Sequence, residues 1–244
     1  MRKNYKFGFT LAEVLITLGI IGVVAAITIP SLINNYKAKK LRSQFLKSYS
    51  VVQQAFKLME ADDVSLDPST YKGDFLFYRV FMNYLTGATD CQVQASAPSS
   101  SICFDGSNNS DVDINSYYRP LHGATNTLWK IRWLLDDGQI ALQDGTLLLF
   151  ENASVGKVYV SVDINGHNNK PNILGYDLFT FQFLDGELKT MGDKGTDYTD
   201  MNTYCNPKST DILNGIACAQ KAKEDTDYFK KIIKAVSYTH LTLP

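Results

Sequence analysis

The sequence predicts an α+β protein in which a long N-terminal helix packs on an antiparallel β-sheet head. The first half of this helix is expected to span a membrane and the second half to be amphipathic. Three observations predict this: an apolar run over residues 9–29, apolar residues at helical spacing from Leu41 to Met59, and β-type segments joined by Asp-Gly turns after residue 138. The expected packing is a meander of four or five strands against the helix.

Charge is distributed unevenly along the 244 residues, although the formal net charge is only −1. The net charge is +3 over residues 1–8, −1 over residues 9–30, +5 over residues 31–60 and −8 over the rest. The near-neutral total excludes a histone-like or polyanion-coating protein, because binding to phosphates needs clustered positive charge. The acidic C-terminal part also argues against nucleic acid as a partner.

The apolar run of 21 residues would form a helix about 31 Å long, close to the thickness of a bilayer hydrocarbon core. Its basic start places the N-terminus in the cytoplasm and the head on the other side of the membrane. A cleaved secretory signal with a small-residue site at residues 24–26 and a plain anchor are alternatives. Glu13 argues against a signal peptide, since a carboxylate at the centre of a membrane helix costs about 2.5–3.5 kcal/mol.

The segment over residues 6–15, KFGFTLAEVL, resembles the prepilin cleavage and methylation motif of type IV pilins and type II secretion pseudopilins. The resemblance implies that residues 1–8 are a leader that prepilin peptidase removes. The cut would fall between Gly8 and Phe9, and Phe9 would become N-methylated. The pilin-like family also has the α+β architecture that the residue pattern predicts.

Glu13 occupies the position of the family's invariant glutamate, and Pro30 the position where many members have a helix-bending proline. Cleavage leaves a cationic amine on Phe9, and a charge buried in an apolar assembly must be paired. The resemblance implies that Glu13 neutralises the Phe9 amine of a neighbouring subunit in a filament.

The implied partners are identical or related filament subunits, the prepilin peptidase and methyltransferase, and an inner-membrane assembly platform. The implied location is a single-pass inner-membrane protein with a cytoplasmic N-terminus and a periplasmic head. After assembly it would be part of a periplasmic or extracellular filament. The residues leave open whether that filament is a type IV pilus or a type II secretion pseudopilus.

The predicted organisation has five parts: the leader at 1–8, a transmembrane or filament-core helix at 9–30, an amphipathic stem at 31–60, a head at 61–235 and a tail at 236–244. The stem stripe consists of apolar residues spaced three or four apart, namely Leu41, Phe45, Tyr49, Val52, Phe56 and Met59. Basic residues from Lys37 to Lys47 are expected to meet phospholipid headgroups or acidic faces of neighbouring subunits. The tail resembles a translated adaptor, so it is interpreted as non-native. The charged helical stretch 220–234 is expected to end before it.

The head is predicted to contain one further helix, a surface loop and two hairpins with a strand between them. The helix covers residues 72–87 and the polar loop residues 95–113. The strands are expected at 139–142, 147–151, 157–163, 178–184 and 187–191. Asp144-Gly145 and Asp185-Gly186 are the turns of the two hairpins.

The four cysteines lie in two groups that are close in sequence, Cys91 with Cys103 and Cys205 with Cys218. Four cysteines allow three connectivities, and an exported head lies in an oxidising compartment that favours disulfides. Local disulfides within these two pairs are expected, and the second pair resembles the C-terminal disulfide loop of pilin heads.

Asp163, Asn165 and Asp177 supply oxygen atoms that invite a calcium hypothesis, because calcium takes six to eight oxygen ligands. The spacing of an EF-hand is absent, however. The favoured interpretation is a loop stabilised by Asx hydrogen bonds, with no cofactor.

No catalytic motif surrounds His122, His167 or His240. The sequence therefore predicts a structural filament subunit and not an enzyme. The alternative is a membrane-anchored periplasmic ligand-binding or enzymatic domain whose first segment only mimics the motif.

Overall fold

The computed structural model describes residues 8–71, 77–93, 102–104, 118–122, 131, 133–152 and 157–242. It confirms the predicted α+β architecture: a 51-residue helix, α1, packs on a six-stranded antiparallel sheet. Helix α1 covers Leu11–Ala61. The other α-helices bounded within the described residues are α2 Phe77–Met82, α3 Met201–Tyr204, α4 Cys218–Glu224 and α5 Tyr228–Thr242. A 3₁₀ turn at Pro68–Tyr71 follows α1.

The sheet is a meander in which every strand pairs with its neighbours in the sequence. Its strands are β1 Thr89–Gln92, β2 Gly138–Ala141, β3 Leu147–Glu151, β4 Val158–Asp163, β5 Leu178–Leu184 and β6 Glu187–Thr190. Both predicted hairpins and the strand between them are confirmed. The edge strand β1 was not predicted, because its four polar and small residues show no alternation.

The two Asp-Gly turns differ, because only the one between β5 and β6 is the two-residue turn that an Asp-Gly pair favours. Asp185 and Gly186 both have positive φ angles, 53° and 77°, as the tight turn between β5 and β6 requires. Gly145, in the turn between β2 and β3, has a φ of 88°. An Asp-Gly pair tolerates this conformation at low cost, so the register of each hairpin is fixed locally.

One face of α1 packs on the sheet, as the stem stripe predicts. Leu41, Phe45, Val52, Phe56 and Met59 are all buried, whereas Tyr49 is half-buried and donates its hydroxyl proton to the carbonyl oxygen of Leu188 at 3.0 Å.

Around Phe45, aromatic rings from the stem, the sheet and the C-terminal helix converge. The centroid of the Phe45 ring is 4.8 Å from that of Phe179 and 6.0 Å from that of Phe181 on β5. It is also 6.1 Å from the ring of Phe229 on α5. The stem, the sheet and the C-terminal helix therefore share one hydrophobic core.

The helical predictions at the C-terminus need correction. The stretch 220–234 is not one helix, because residues 225–227 separate α4 from α5 and the Asp225 carboxylate accepts the N–H of Asp227. The expected end at residue 234 is also wrong, since α5 continues to Thr242. Burial of Val236 in the core explains why the first turn of the assigned tail stays helical.

One helix prediction and one loop prediction in the head are also revised. The helix expected over 72–87 covers only Phe77–Met82, with turns up to Gly87, and residues 72–76 lie outside the described part. Most of the loop at 95–113 lies outside it as well. Within that loop, Cys103 and Phe104 are buried, so this part is not a surface feature.

Candidate functional site

The N-terminal end of α1 carries a hydrogen-bonded cap that involves Glu13. The Glu13 Oε2 atom accepts hydrogen bonds from the N–H and the hydroxyl of Thr10, each at 2.8 Å. In return, the Thr10 hydroxyl oxygen accepts the N–H of Glu13 at 3.3 Å. This capping box places the carboxylate at the start of the helix. Sequence analysis did not identify the cap, although its signal, a threonine three residues before a glutamate, is present.

Gly8 and Phe9 lie in exposed, non-helical backbone directly before this cap. The Phe9 side chain is 88% exposed, and a Cβ atom added at Gly8 would meet nothing within 4 Å. The peptide bond between the two residues therefore lies in exposed, non-helical backbone, which is compatible with access by a peptidase.

The first half of α1 exposes an unbroken apolar surface. Its most apolar stretch of 18 residues has a mean hydropathy of 2.4 and is not buried inside the protein. The helix is long and apolar enough to cross a membrane. Pro30 lies within α1, which continues through it as helix, so the bend expected there stays a prediction.

Both predicted disulfides are present. Cys91 on β1 is bonded to Cys103, with Cα atoms 5.5 Å apart, and Cys205 after α3 is bonded to Cys218 on α4, with Cα atoms 5.0 Å apart. Each disulfide closes a short loop, and in the chain-entropy model such a bond stabilises the folded state by about 3 kcal/mol. The first disulfide ties the edge strand to the loop containing Phe104, and the second ties α3 to α4.

The three residues of the calcium hypothesis lie in and around the β4–β5 connection. Asp163 accepts the Tyr118 hydroxyl at 2.8 Å and the N–H groups of Asn165 and Gly166 at 3.2 and 2.9 Å. Asp177 accepts two further amide N–H groups, those of residues 172 and 173, at 3.0 and 2.6 Å. The side-chain amide of Asn165 donates to the carbonyl oxygen of Asn169 at 2.7 Å. These bonds support the interpretation of an Asx-stabilised loop.

In this loop, burial raises the pKa of the two aspartates and lowers the pKa of the histidine. It raises the pKa of Asp163 to about 6 and raises the pKa of Asp177 well above its ordinary value, a shift that the charge of Asp163 increases. Burial lowers the pKa of His167 to about 4, and the nearby ammonium of Lys170 lowers it further. The His167 ring packs near the rings of Phe104 and Tyr118, at centroid distances of 5.0 and 5.9 Å.

These shifts predict opposite pH dependences for two variants of the head. Because the folded-state pKa of Asp163 is raised, its stabilising contribution is present below pH 4 and is lost as the pH rises through about 6. The contribution of His167 is present above pH 6.5 and is lost as the pH falls towards 4.

We therefore expect Asp163→Asn to lose about 1 kcal/mol more unfolding free energy than the wild type between pH 7 and pH 5. His167→Gln should lose about 1 kcal/mol less over the same range. Urea unfolding of the full chain in neutral detergent measures both slopes. Parallel slopes for the two variants would show that neither group titrates as described.

A second group of acidic residues lies where β2 begins and β3 ends. Carboxylate oxygens of Asp136, Asp137 and Glu151 lie within 4.8 Å of one another, close enough to hold a cation. Asp137 also accepts the N–H of Asn152 at 2.7 Å. Sequence analysis missed this group because β-strand pairing brings Glu151 to residues fourteen or more positions earlier in the chain.

Of the three histidines, only His122 and His167 lie among the described side chains. Burial lowers the pKa of His122, as it does that of His167. Neither imidazole is among the possible metal ligands formed by Asp136, Asp137 and Glu151.

A folded, disulfide-bonded head that follows an exposed apolar helical segment is compatible with membrane anchoring through the N-terminal segment. Residues 3–29 match the family model of the prokaryotic N-terminal methylation motif. This motif is the signature of type IV pilins and pseudopilins, so the resemblance is confirmed for the N-terminal segment. Comparisons with curated proteins and with solved structures gave no match.

Proposed function

We propose that this chain is a structural subunit of a type IV pilus or a type II secretion pseudopilus. In this proposal the leader is removed after Gly8, Phe9 is N-methylated, and the subunit is polymerised from the inner membrane. The observation that carries the proposal is the methylation motif over residues 3–29, situated at the start of a helix whose apolar first half is exposed.

The exposed apolar surface of α1 must be covered, which supports storage in a membrane followed by assembly. The large apolar side chains between Phe9 and Ile33 are exposed, and apolar surface of this extent must be removed from water. A bilayer covers it in the single subunit. In a filament, the same surface is covered by the equivalent helices of neighbouring subunits, which places Glu13 and the Phe9 amine in an apolar environment where they need each other.

The two disulfides support the proposed orientation. Disulfides form and persist in oxidising compartments, whereas the cytoplasm keeps thiols reduced. All four cysteines of the chain are bonded in the head. A periplasmic head agrees with this chemistry.

Mass spectrometry of the mature N-terminus tests the proposal. In cells that contain a prepilin peptidase, we expect a chain that begins with N-methylated Phe9 and has lost residues 1–8. Gly8→Glu should accumulate as unprocessed chain, because a bulky charged side chain would occupy the cleavage site. Gly19→Ala is the matched control, since Gly19 also has open space around its Cα, and it should be processed normally.

Two results would contradict the proposal. A chain that keeps Met1 would identify α1 as a plain anchor, and a chain that begins at Ile27 would identify it as a secretory signal. Either result would favour the anchored ligand-binding or enzymatic domain.

A further inference from the structure

The stem carries three lysines just beyond its apolar segment. We propose that Lys37, Lys39 and Lys40, here called the juxtamembrane patch, bind the anionic headgroups of the phospholipids around the inserted helix. The inference rests on the proposed function, because it requires α1 to lie in a bilayer before assembly. Beyond that function, it names anionic phospholipids as the binding partner of the juxtamembrane patch.

The position of the patch along α1 matches the depth of lipid headgroups. The large exposed apolar side chains of the first half of α1 end at Ile33, and with a rise of 1.5 Å per residue Lys37 and Lys40 lie about 6 and 11 Å further along the helix. Each headgroup layer of a bilayer is about 5–8 Å thick. Tyr36 lies between Ile33 and Lys37 and is 70% exposed, and tyrosine is enriched at the membrane–water interface. Lysine side chains at this depth can reach lipid phosphates.

The orientation of the patch leaves it accessible. Ala38 and Leu41 are buried against the head, whereas Lys39 and Lys40 are exposed. At 100° per residue, Lys39 and Lys40 point away from the buried face of the helix, on the same side as Tyr36. Lys37 lies at the edge of that face, with its ammonium 5.4 Å from the ring centroid of Tyr176.

The charge of the patch is not neutralised within the described part of the chain. No described carboxylate lies within 4 Å of a nitrogen of these three lysines, whereas both later lysines of the stem are paired. The Lys47 ammonium lies 2.7 Å from Asp144, and the Lys57 ammonium lies 2.7 Å from Glu60.

The sequence of α1 offers no acidic side chain near the patch that could neutralise its charge. It has no acidic residue between Glu13 and Glu60. Arg42 is directed elsewhere, because its guanidinium donates to the carbonyl oxygens of Ala222 and Asp225 at 3.4 and 3.3 Å. As far as the described residues show, the patch therefore presents positive charge without a carboxylate partner at headgroup level, where anionic lipids are attracted more strongly than zwitterionic ones.

Lipid retention by the full unprocessed chain tests the proposal. The chain is purified in nonionic detergent containing equimolar phosphatidylglycerol and phosphatidylcholine, and the lipids that stay bound are counted by mass spectrometry. We expect the wild type to retain phosphatidylglycerol at least fivefold over phosphatidylcholine in 0.1 M NaCl. The ratio should fall towards one in 1 M NaCl, where the screening length is about 3 Å.

The triple variant Lys37→Gln, Lys39→Gln, Lys40→Gln should lower the ratio at least threefold. Its matched control is Lys57→Gln, Lys194→Gln, Lys208→Gln, which removes the same charge from exposed positions outside the patch and should keep the wild-type ratio. Unchanged thermal unfolding of the head in both variants shows that the fold is retained.

Three results would overturn the proposal: a wild-type ratio near one, an equal loss in the control variant, or a patch variant that keeps the lipid ratio but loses self-association. The last result would assign the patch to the acidic face of a second copy. Because the assay uses unprocessed chain, it gives an answer whether or not cleavage and methylation occur in cells. Failure of the lipid inference and failure of the proposed function are therefore separate outcomes.

Discussion

Glu13→Ala is expected to abolish incorporation of the subunit into filaments while cleavage after Gly8 continues. Without the carboxylate, the amine of Phe9 would enter an apolar assembly unpaired, and breaking one partner of a buried ion pair costs about 3–5 kcal/mol. Such a loss at each subunit contact reduces assembly by two to three orders of magnitude or more. Filaments sheared from cells and the processed chain left in the membrane are both quantified by immunoblot.

The capping box makes a second variant more informative than alanine alone. Glu13 also accepts two hydrogen bonds from Thr10, so alanine removes a helix cap of about 1 kcal/mol together with the charge. Glutamine can form the same capping box but has no charge. We expect Glu13→Gln to fail in assembly as alanine does, whereas Glu187→Ala, which removes an exposed carboxylate from the head, should assemble. Normal filaments from Glu13→Gln would assign Glu13 to capping and contradict charge pairing.

Phe45→Ala is expected to destabilise the head by about 3–5 kcal/mol, which is the range for a buried phenylalanine. Phe45 is fully buried and contacts rings from β5 and α5. Its removal would leave a cavity where stem, sheet and C-terminal helix meet. Urea unfolding of the full chain in neutral detergent, followed by near-ultraviolet circular dichroism, measures the change.

The neighbouring residue provides the control for this variant. Leu46 is 38% exposed on the same helix, and Leu46→Ala should cost about 1 kcal/mol or less. If Phe45→Ala does not fold, Phe45→Leu preserves most of the volume and should lie between the two. Equal costs for the Phe45 and Leu46 variants would mean that the stem does not anchor the head through this core.

Elements governed by local rules were predicted well. The stem stripe was correct because helical periodicity marks the face that must be buried. The hairpins were correct because Asp-Gly pairs fix tight turns, and Asp185 has the positive φ angle that such a turn needs. Strand β1 was missed because its four residues carry no alternating pattern and pair with β2 across 45 intervening residues.

The C-terminal helix shows where local patterns fail. Composition suggested that the helix ends at residue 234, yet α5 continues to Thr242. Phe229, Ile232 and Val236 recur at spacings of three and four and belong to the same core as the stem. Burial against a distant part of the chain thus extended a helix that composition alone would have ended.

By itself, the sequence determined the part of this protein on which the functional proposal rests. The methylation motif, the apolar length of α1, the position of Glu13 and the basic residues after the apolar segment are all contiguous features, so they can be read without knowing the fold. The tertiary structure was needed to show that Lys47 pairs with Asp144, that Glu151 lies beside Asp136 and Asp137, and that Tyr118 reaches Asp163. Those features depend on contacts between residues far apart in the chain, and pairing across a folded core is not encoded in local spacing.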